Sequence, residues 1–388
     1  MGDGKIHKKI LFCASTASHI INFHNVYFDY LKDTGFEIHA AVGDSKSGDS
    51  GINQTDLIKS QKNFILTFEK SKKIYKNIKT IFKLSKIIRR EKYDIISAHS
   101  MLAGFIVRLS VILSGKKKIK VIHTCHGYLF DDDKSFKSRI MIFIEKFLGK
   151  RTDILFVMNG EDYKIAKKYK LCKNIIYTDG MGIDAKKLDK QNKSEIIEIA
   201  EKYKIPANKK YFMCVGEFTK RKNQGNIIRA FGRFIKNSPD NLHDSCHLIF
   251  LGGGVTLKEC EKLCETMWIT QNVTFCGNVA DVSGFYKNFA HFVISASRFE
   301  GLPFNIMEAL YYGVPVIASN VKGHKDLISD GVNGYLYKYN DDEELALLFE
   351  KVSDGDIYEK LKNNAFLDKK YYLDGVKEKI LSCYRDIH

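Results

Sequence analysis

The feature that most constrains this fold is a pattern that runs twice along the chain. Short, almost continuously apolar runs alternate with amphipathic stretches. KILFCAS (9–15), FEIHAAVG (36–43), YDIISAHS (93–100), KVIHTCHG (120–127), DILFVMN (153–159) and NIIYTDGMGID (174–184) read as strands. NVYFDYLKDTG (25–35) and residues 72–92, 101–114, 135–149 and 160–170 read as the helices between them. After a charged segment, 185–210, the pattern restarts with YFMCVGEF (211–218), CHLIFLGGG (246–254), NVTFCGN (272–278), HFVISAS (291–297) and VPVIAS (314–319). Strands with no polar face must be covered on both sides, which implies parallel sheets between helices. Right-handed crossovers fix the hand of each. The expected fold is therefore α/β, with two doubly wound, Rossmann-like domains at 1–186 and 187–371. A C-terminal helix at about 372–388 is expected to pack back on the first domain. Ligands of such sheets sit at the carboxyl ends of strands, so a cleft between two facing sheets is the expected site.

The formal net charge is +16. Such an excess attracts polyanions: nucleic acid, anionic lipid or phosphorylated small molecules. Solvated lysine faces account for most of it. Nucleic acid is not expected as a partner, because the chain carries no RNP-like strand, zinc finger or recognition helix. The nine cysteines are scattered, and several fall in apolar runs, where Cys acts as a small hydrophobe. Their odd number and the lack of a C-x-x-C pair favour a reducing compartment. Cys260, Cys264 and His247 lack the tight pairing of zinc ligands. KKILFCASTA (8–17) has too short an apolar core for a signal peptide. MLAGFIVRLSVIL (101–113) is too short to span ~30 Å of hydrocarbon and contains Arg108. A cytoplasmic protein that does not cross a membrane is expected.

The most informative stretch is SRFEGLPFNIMEALYYGVPVIAS (297–319). A strand ends, RFEG turns, and Pro303 suits the first position of a helix that Gly313 stops. The amides of Phe304, Asn305 and Ile306 then face outward at the positive end of the helix dipole, a ready site for an anion. Gly301 lets the anion approach the backbone. Glu300 lies beside that site. Glu308, two turns in, can accept two hydrogen bonds from a diol such as a ribose. An elongated ligand with a central diphosphate, a nucleotide sugar, suits this layout. VGEFTKRKNQG (215–225) is a second strand end, at Gly216, where Arg221 and Lys222 could reach the same diphosphate. Gly277 and Asn278, ending another strand, could read a base edge with their backbone. LGGG (251–254) lacks both the G-x-G-x-x-G and the Walker patterns and reads as a turn. Asp131, Asp132 and Asp133 read as a solvated loop or helix cap and not as a metal site.

At these residues the chain resembles the retaining glycosyltransferases of family 4, which have the GT-B fold. The resemblance is carried by Glu300-GLPFNIM-Glu308, the VIAS run after Gly313, and DGVNGYL (330–336). ASTASHIINFH, HTCHGYLF, TDILFVMNGEDYKIAKK, GMGID, VGEFTKRKNQ and NVKGHKDLISDG narrow it to bacterial capsular and exopolysaccharide transferases. It implies that Glu308 holds the nucleotide ribose and Glu300 the donor sugar. Phe304 and Asn305 would hold diphosphate and sugar hydroxyls, and Lys222 would grip the diphosphate. His126 would lie near the donor sugar, giving His126, Glu300 and Lys222 as the catalytic set. Ser18 and His19, with His126, become acceptor-side candidates. The family arginine that follows the glycine is here Glu217, a departure for which Arg221 is the candidate substitute. The implied donor is UDP-linked, with an N-acetylhexosamine as one option. The implied acceptor is a saccharide on a polyprenyl diphosphate. No metal or other cofactor is expected. A nucleotide-sugar epimerase or hydrolase of the same fold is the alternative, with a basic nucleic-acid-binding protein ranked below it. Residues 72–92, with nine basic positions among apolar ones, could rest on the anionic inner face of a membrane.

Overall fold

The computed structural model describes residues 8–43, 54–69, 75–133, 135–190, 196–238 and 244–387. The chain divides into two compact units, 1–181 with 376–388, and 182–375.

The first unit is built on seven parallel strands: β1 (Lys8–Ala14), β2 (Phe36–Gly43), β3 (Lys62–Leu66), β4 (Ile95–His99), β5 (Lys120–Cys125), β6 (Ile154–Val157) and β7 (Ile175–Tyr177), in the order β3-β2-β1-β4-β5-β6-β7. Its helices are α1 (Ala17–Phe23), α2 (Asn25–Asp33), α3 (Lys76–Glu91), α4 (Met101–Ser114), α5 (Phe136–Gly149) and α6 (Gly160–Lys168). The second unit has α7 (Ala185–Lys190), α8 (Ile196–Tyr203), α9 (Gln224–Asn237), α10 (Leu257–Thr266), α11 (Ser283–Asn288), α12 (Phe304–Tyr311), α13 (Asp342–Val352) and α14 (Gly355–Lys362). They surround β8 (Lys210–Val215), β9 (Cys246–Leu251), β10 (Val273–Phe275), β11 (Ala290–Ser295), β12 (Val316–Ser319) and β13 (Gly334–Tyr337), in the order β10-β9-β8-β11-β12-β13. The last helix, α15 (Leu373–Arg385), returns to the first unit, where the Tyr384 hydroxyl lies 2.6 Å from Ser97 Oγ.

Both sheets are doubly wound. Strand order runs one way from β1 and from β8, then reverses at β4 and β11, and ligands bind at such switch points. The apolar strands are buried as their composition requires: Ile10, Leu11, Ile96, Val121, Phe212, Ile249 and Val293 have no or almost no exposed surface. In the first unit Leu84 and Ile88 of α3 and Ile106, Val107 and Val111 of α4 pack on β1 and β4.

Several elements lie outside the expected pattern. The helix expected over 72–92 is described from Lys76, and residues 72–74 lie outside the described residues. Segment 185–210 contains α7 and α8 and is not only a charged connection. The run ASHIINF forms α1, an element not expected between the strand at 9–15 and the helix at 25–35. β3 is an edge strand with Lys62, Asn63 and Ile65 exposed, so it lacks the apolar signature of its neighbours.

Arg108 is completely buried and forms a two-pronged ion pair with Glu145 of α5 at 2.8 and 2.9 Å. Its Nε also donates to the Gly104 carbonyl at 2.9 Å. The charge that argued against a membrane span is thus a core tie between α4 and α5. No helix among the described residues is long and apolar enough to cross a membrane. All nine cysteines are free. His247 bonds Thr274 Oγ1 at 2.8 Å. Asp132 is engaged by Lys168 and Tyr169, and Asp133 by Ser135, in keeping with a solvated loop.

Candidate active site

In the second unit, the loops after β8 and β11 meet at the switch point. Arg298 N–H donates to the Arg221 carbonyl at 2.8 Å, and Arg221 Nη1 donates to the Phe299 carbonyl at 2.9 Å. These contacts bring three expected site residues together. Glu300 Oε1 lies 2.8 Å from Arg221 Nη1 and 2.8 Å from Lys222 Nζ. Burial alone would raise the Glu300 pKa. The Lys222 ammonium, and then the Arg221 guanidinium, outweigh it and hold the carboxyl at about 2. From the sequence, Arg221 and Lys222 were candidates for a diphosphate, and their pairing with the acid was not anticipated. In this state Glu300 neutralises them.

Pro303 is one position earlier than expected. It is the cap residue before α12, with extended backbone (φ −76°, ψ 124°), and Phe304 begins the helix. The Asn305 side chain donates to the Val215 carbonyl at 3.0 Å, which fixes the helix start against the end of β8. Gly301 packs against Gly323, where a Cβ would stand 2.4 Å from the Gly301 carbonyl oxygen. Beneath the turn, buried His324 bonds the Ser319 carbonyl at 2.7 Å and Ser295 Oγ at 3.2 Å. Burial lowers its pKa to about 4, so it supports the Glu300 turn as a neutral ring.

Glu308 lies inside α12. The Tyr286 hydroxyl is 3.1 Å from its Oε2 and 3.1 Å from the Asn305 carbonyl. Burial pushes the Glu308 carboxyl up to about 7, against the opposing effects of Tyr286 and Lys187. Tyr286 and His324 were not anticipated from the sequence. Tyr286 stands in SGFYKNF and His324 in VKGHKDL, stretches with no local mark of a site, and only the fold sets each beside a glutamate.

The other expected donor-side residues lie along the same strand ends. Gly216 faces the Lys222 stem, 3.5 Å from where a Cβ would be. Its N–H donates to the Leu251 carbonyl at 2.9 Å. Gly252, with φ +136°, leaves only 2.2 Å between a Cβ and the Gly216 carbonyl oxygen. Its N–H donates to the Gly277 carbonyl at 2.7 Å, and Gly253 N–H donates to Asn278 Oδ1 at 2.8 Å. Gly277 and Asn278 therefore lock the β9 turn. They stand two strands from β8, about 10 Å at ordinary strand spacing. The Glu217 side chain is exposed, and its carbonyl accepts from Gln224.

In the first unit, His19 of α1 and His126 after β5 meet, Nε2 to Nε2, at 3.1 Å. The Ser18 hydroxyl turns to Thr16 Oγ1 at 3.2 Å. His24 and His99, not singled out from the sequence, join the same cluster.

Two family models match the chain: Glycosyltransferase Family 4 over residues 29–185 and Glycosyl transferases group 1 over residues 195–368. A 41.2 kDa protein of the cps region of Klebsiella pneumoniae is 30% identical over 325 residues, covering 77% of this chain and 84% of that one. The Escherichia coli UDP-Gal:alpha-D-GlcNAc-diphosphoundecaprenol alpha-1,3-galactosyltransferase is 27% identical, covering 78% and 77%. Among solved structures, HepE of Anabaena in complex with UDP and glucose matches with a TM-score of 0.73 at 16% identity, over 98% of this chain and all of that one. Twin parallel sheets of seven and six strands, a glutamate pair eight residues apart at a helix start and matches along both units lead to one assignment: the chain belongs to the family 4, group 1 glycosyltransferases of GT-B fold.

Proposed function

We propose that this glycosyltransferase moves a sugar, with retention of anomeric configuration, from a UDP-linked donor to a saccharide on a polyprenyl-diphosphate carrier in capsule or exopolysaccharide synthesis. An N-acetylhexosamine is one donor to test. The observation that supports this most is the meeting of Arg221, Lys222 and Glu300 beside the start of α12, at the switch point between β8 and β11. Expelling a nucleoside diphosphate builds negative charge on its phosphates. Fixed cations lower that barrier because they are oriented before the reaction. On this reading the diphosphate draws Lys222 and Arg221 from Glu300, which frees the carboxylate to hold a donor-sugar hydroxyl. Glu308 accepts the ribose diol. The leaving phosphate takes the acceptor proton on the face it vacates, so no protein base is assigned. No metal is needed on the diphosphate.

The acceptor side suggests a surface as well. On α5, Phe136, Ile140, Phe143 and Phe147 are all exposed, at helical spacing, with exposed Lys137, Arg139, Lys146 and Lys150 beside them. Exposed Tyr75, Ile78 and Phe82 mark α3 and the residue before it, among Lys76, Lys79 and Lys83. Apolar rings bordered by lysine suit the headgroup boundary of an anionic membrane. We assign this surface to the inner leaflet that presents the lipid-linked acceptor.

A thermal-shift panel of nucleoside diphosphates and their sugars tests the donor reading. A true ligand at 100 times its Kd should stabilise the fold by about 2.7 kcal/mol. Product from a lipid-linked acceptor should then carry the donor's anomeric configuration by NMR and form undiminished in EDTA. Release of free or epimerised sugar without acceptor would refute the transfer reading. Flotation with anionic vesicles should be lost at high salt and in a Phe143→Glu, Phe147→Glu chain.

A further inference from the structure

Four histidines of the first unit converge where its strand order reverses. His19 lies on α1 after β1, His24 between α1 and α2, His99 ends β4, and His126 follows β5. One ring nitrogen from each lies within 4.8 Å of all the others. The His19 and His126 rings meet edge to face with centroids 4.4 Å apart, and those of His24 and His99 are 3.7 Å apart. The group contains no carboxylate or thiol.

Ring-to-ring hydrogen bonding does not satisfy this cluster. His24 and His99 are each 1% exposed, yet His24 Nε2 and His99 Nδ1 have no hydrogen-bond partner among the described residues. A buried polar atom left so costs about 1–3 kcal/mol. The far side of His99 is held, with Nε2 2.9 Å from Ser97 Oγ, which is 2.6 Å from the Tyr384 hydroxyl. If Nε2 donates into that chain, Nδ1 presents a lone pair to the other three rings. An outer hydrogen bond that fixes a ring's tautomer and aim is the usual support of a metal-binding histidine.

We propose that His19, His24, His99 and His126 bind one zinc-class divalent ion at the carboxyl ends of β1, β4 and β5. Tetrahedral zinc–imidazole bonds of ~2.0–2.1 Å place ligand nitrogens about 3.3 Å apart. The 3.1 Å His19–His126 pair already has that spacing, and the widest separation, 4.8 Å, closes with small ring rotations. Four nitrogens without oxygen ligands favour zinc or cobalt over magnesium or calcium. The ion is distinct from any metal on the diphosphate, and the inference does not rest on the transferase reading. It revises the roles that the family resemblance gave His19 and His126, because their Nε2 atoms are committed to the ion.

The test is metal titration of the tag-free full-length chain after chelation and dialysis. One equivalent of Co2+ should give the intense visible band of a tetrahedral site, without thiolate charge transfer, and one equivalent of Zn2+ should abolish it. His99→Gln or His24→Gln should weaken Co2+ binding at least 100-fold, and Ser97→Ala about 10-fold. X-ray absorption of the zinc-loaded wild type should show four nitrogen neighbours and needs no variant. A weak octahedral cobalt spectrum, sulfur neighbours, or unchanged stoichiometry in a His24→Gln, His99→Gln chain would overturn the proposal. These readouts involve no sugar transfer, so they fail or succeed independently of the donor assay.

Discussion

Replacing Glu300 by Gln should separate the two duties of this carboxylate. The side chain is 10% exposed and meets two cations at 2.8 Å. A fall in pKa from 4.5 to about 2 corresponds to about 3 kcal/mol in favour of the charged form. The Arg221 side chain is 43% exposed, so water screens much of its share. The Gln variant should therefore lose about 1–2 kcal/mol of stability near neutral pH by urea unfolding. The wild-type contribution is complete above the unfolded carboxyl pKa, near 4.5, and fades as pH falls from there towards 2, because the folded pKa is the lower one. On the proposed reading the same pairing opposes ligand binding, since a diphosphate would take Lys222 and Arg221 from Glu300. In the variant both cations are released, so UDP should bind up to about tenfold more tightly by calorimetry, worth about 1.4 kcal/mol. Uridine, without phosphates, should bind as before. Turnover should nonetheless fall, because the donor sugar has lost its carboxylate. Unchanged stability together with weaker UDP binding would refute the reasoning.

Three further outcomes follow from the site and the core. Glu308 has its carboxyl raised to about 7, so uridine affinity should climb as pH rises towards 7 and level off above it, and Glu308→Gln should flatten that step. Stability has the opposite sense: the raised pKa favours the fold in acid, and that contribution is lost as pH rises from about 4.5 through 7. Lys222→Ala should lower kcat about 100-fold or more, the usual cost of one preorganised donor to a developing anion, with a smaller effect on uridine binding. Arg108→Ala should cost about 3–5 kcal/mol by leaving the Glu145 charge buried alone, whereas Arg108→Met with Glu145→Leu should cost much less; equal losses in urea melts would contradict the account of that pair.

The sheet strands were legible because strands covered on both faces cannot hide their composition: YFMCVG and HFVISAS announce β8 and β11. β3 escaped because an edge strand with exposed Lys62, Asn63 and Ile65 has no such signature. β13, a four-residue strand, begins with glycine. α12 was legible from Pro303 and Gly313, though proline proved to be the cap and not the first turn. The pairing of Glu300 with Arg221 and Lys222 was not legible. It joins residues 79 and 78 positions apart, and only the adjacency of β8 and β11 brings them together. The histidine cluster was half legible. His19 and His126 were candidates, but His24, at the end of the same ASTASHIINFH stretch, and His99 were not singled out until the strand order set their orphan nitrogens among the other rings.

The glycine turns behind β8, β9, β11 and β12 have a practical consequence. Where Gly252 meets the Gly216 carbonyl, and Gly323 meets that of Gly301, main chain rests directly on main chain. Such a floor has no side chain to swap and little slack to re-pitch. On the proposed donor reading, a change of donor is then written around its rim, at positions such as Glu217 and Phe299. Anyone seeking to retarget the enzyme should randomise that rim and leave the floor untouched.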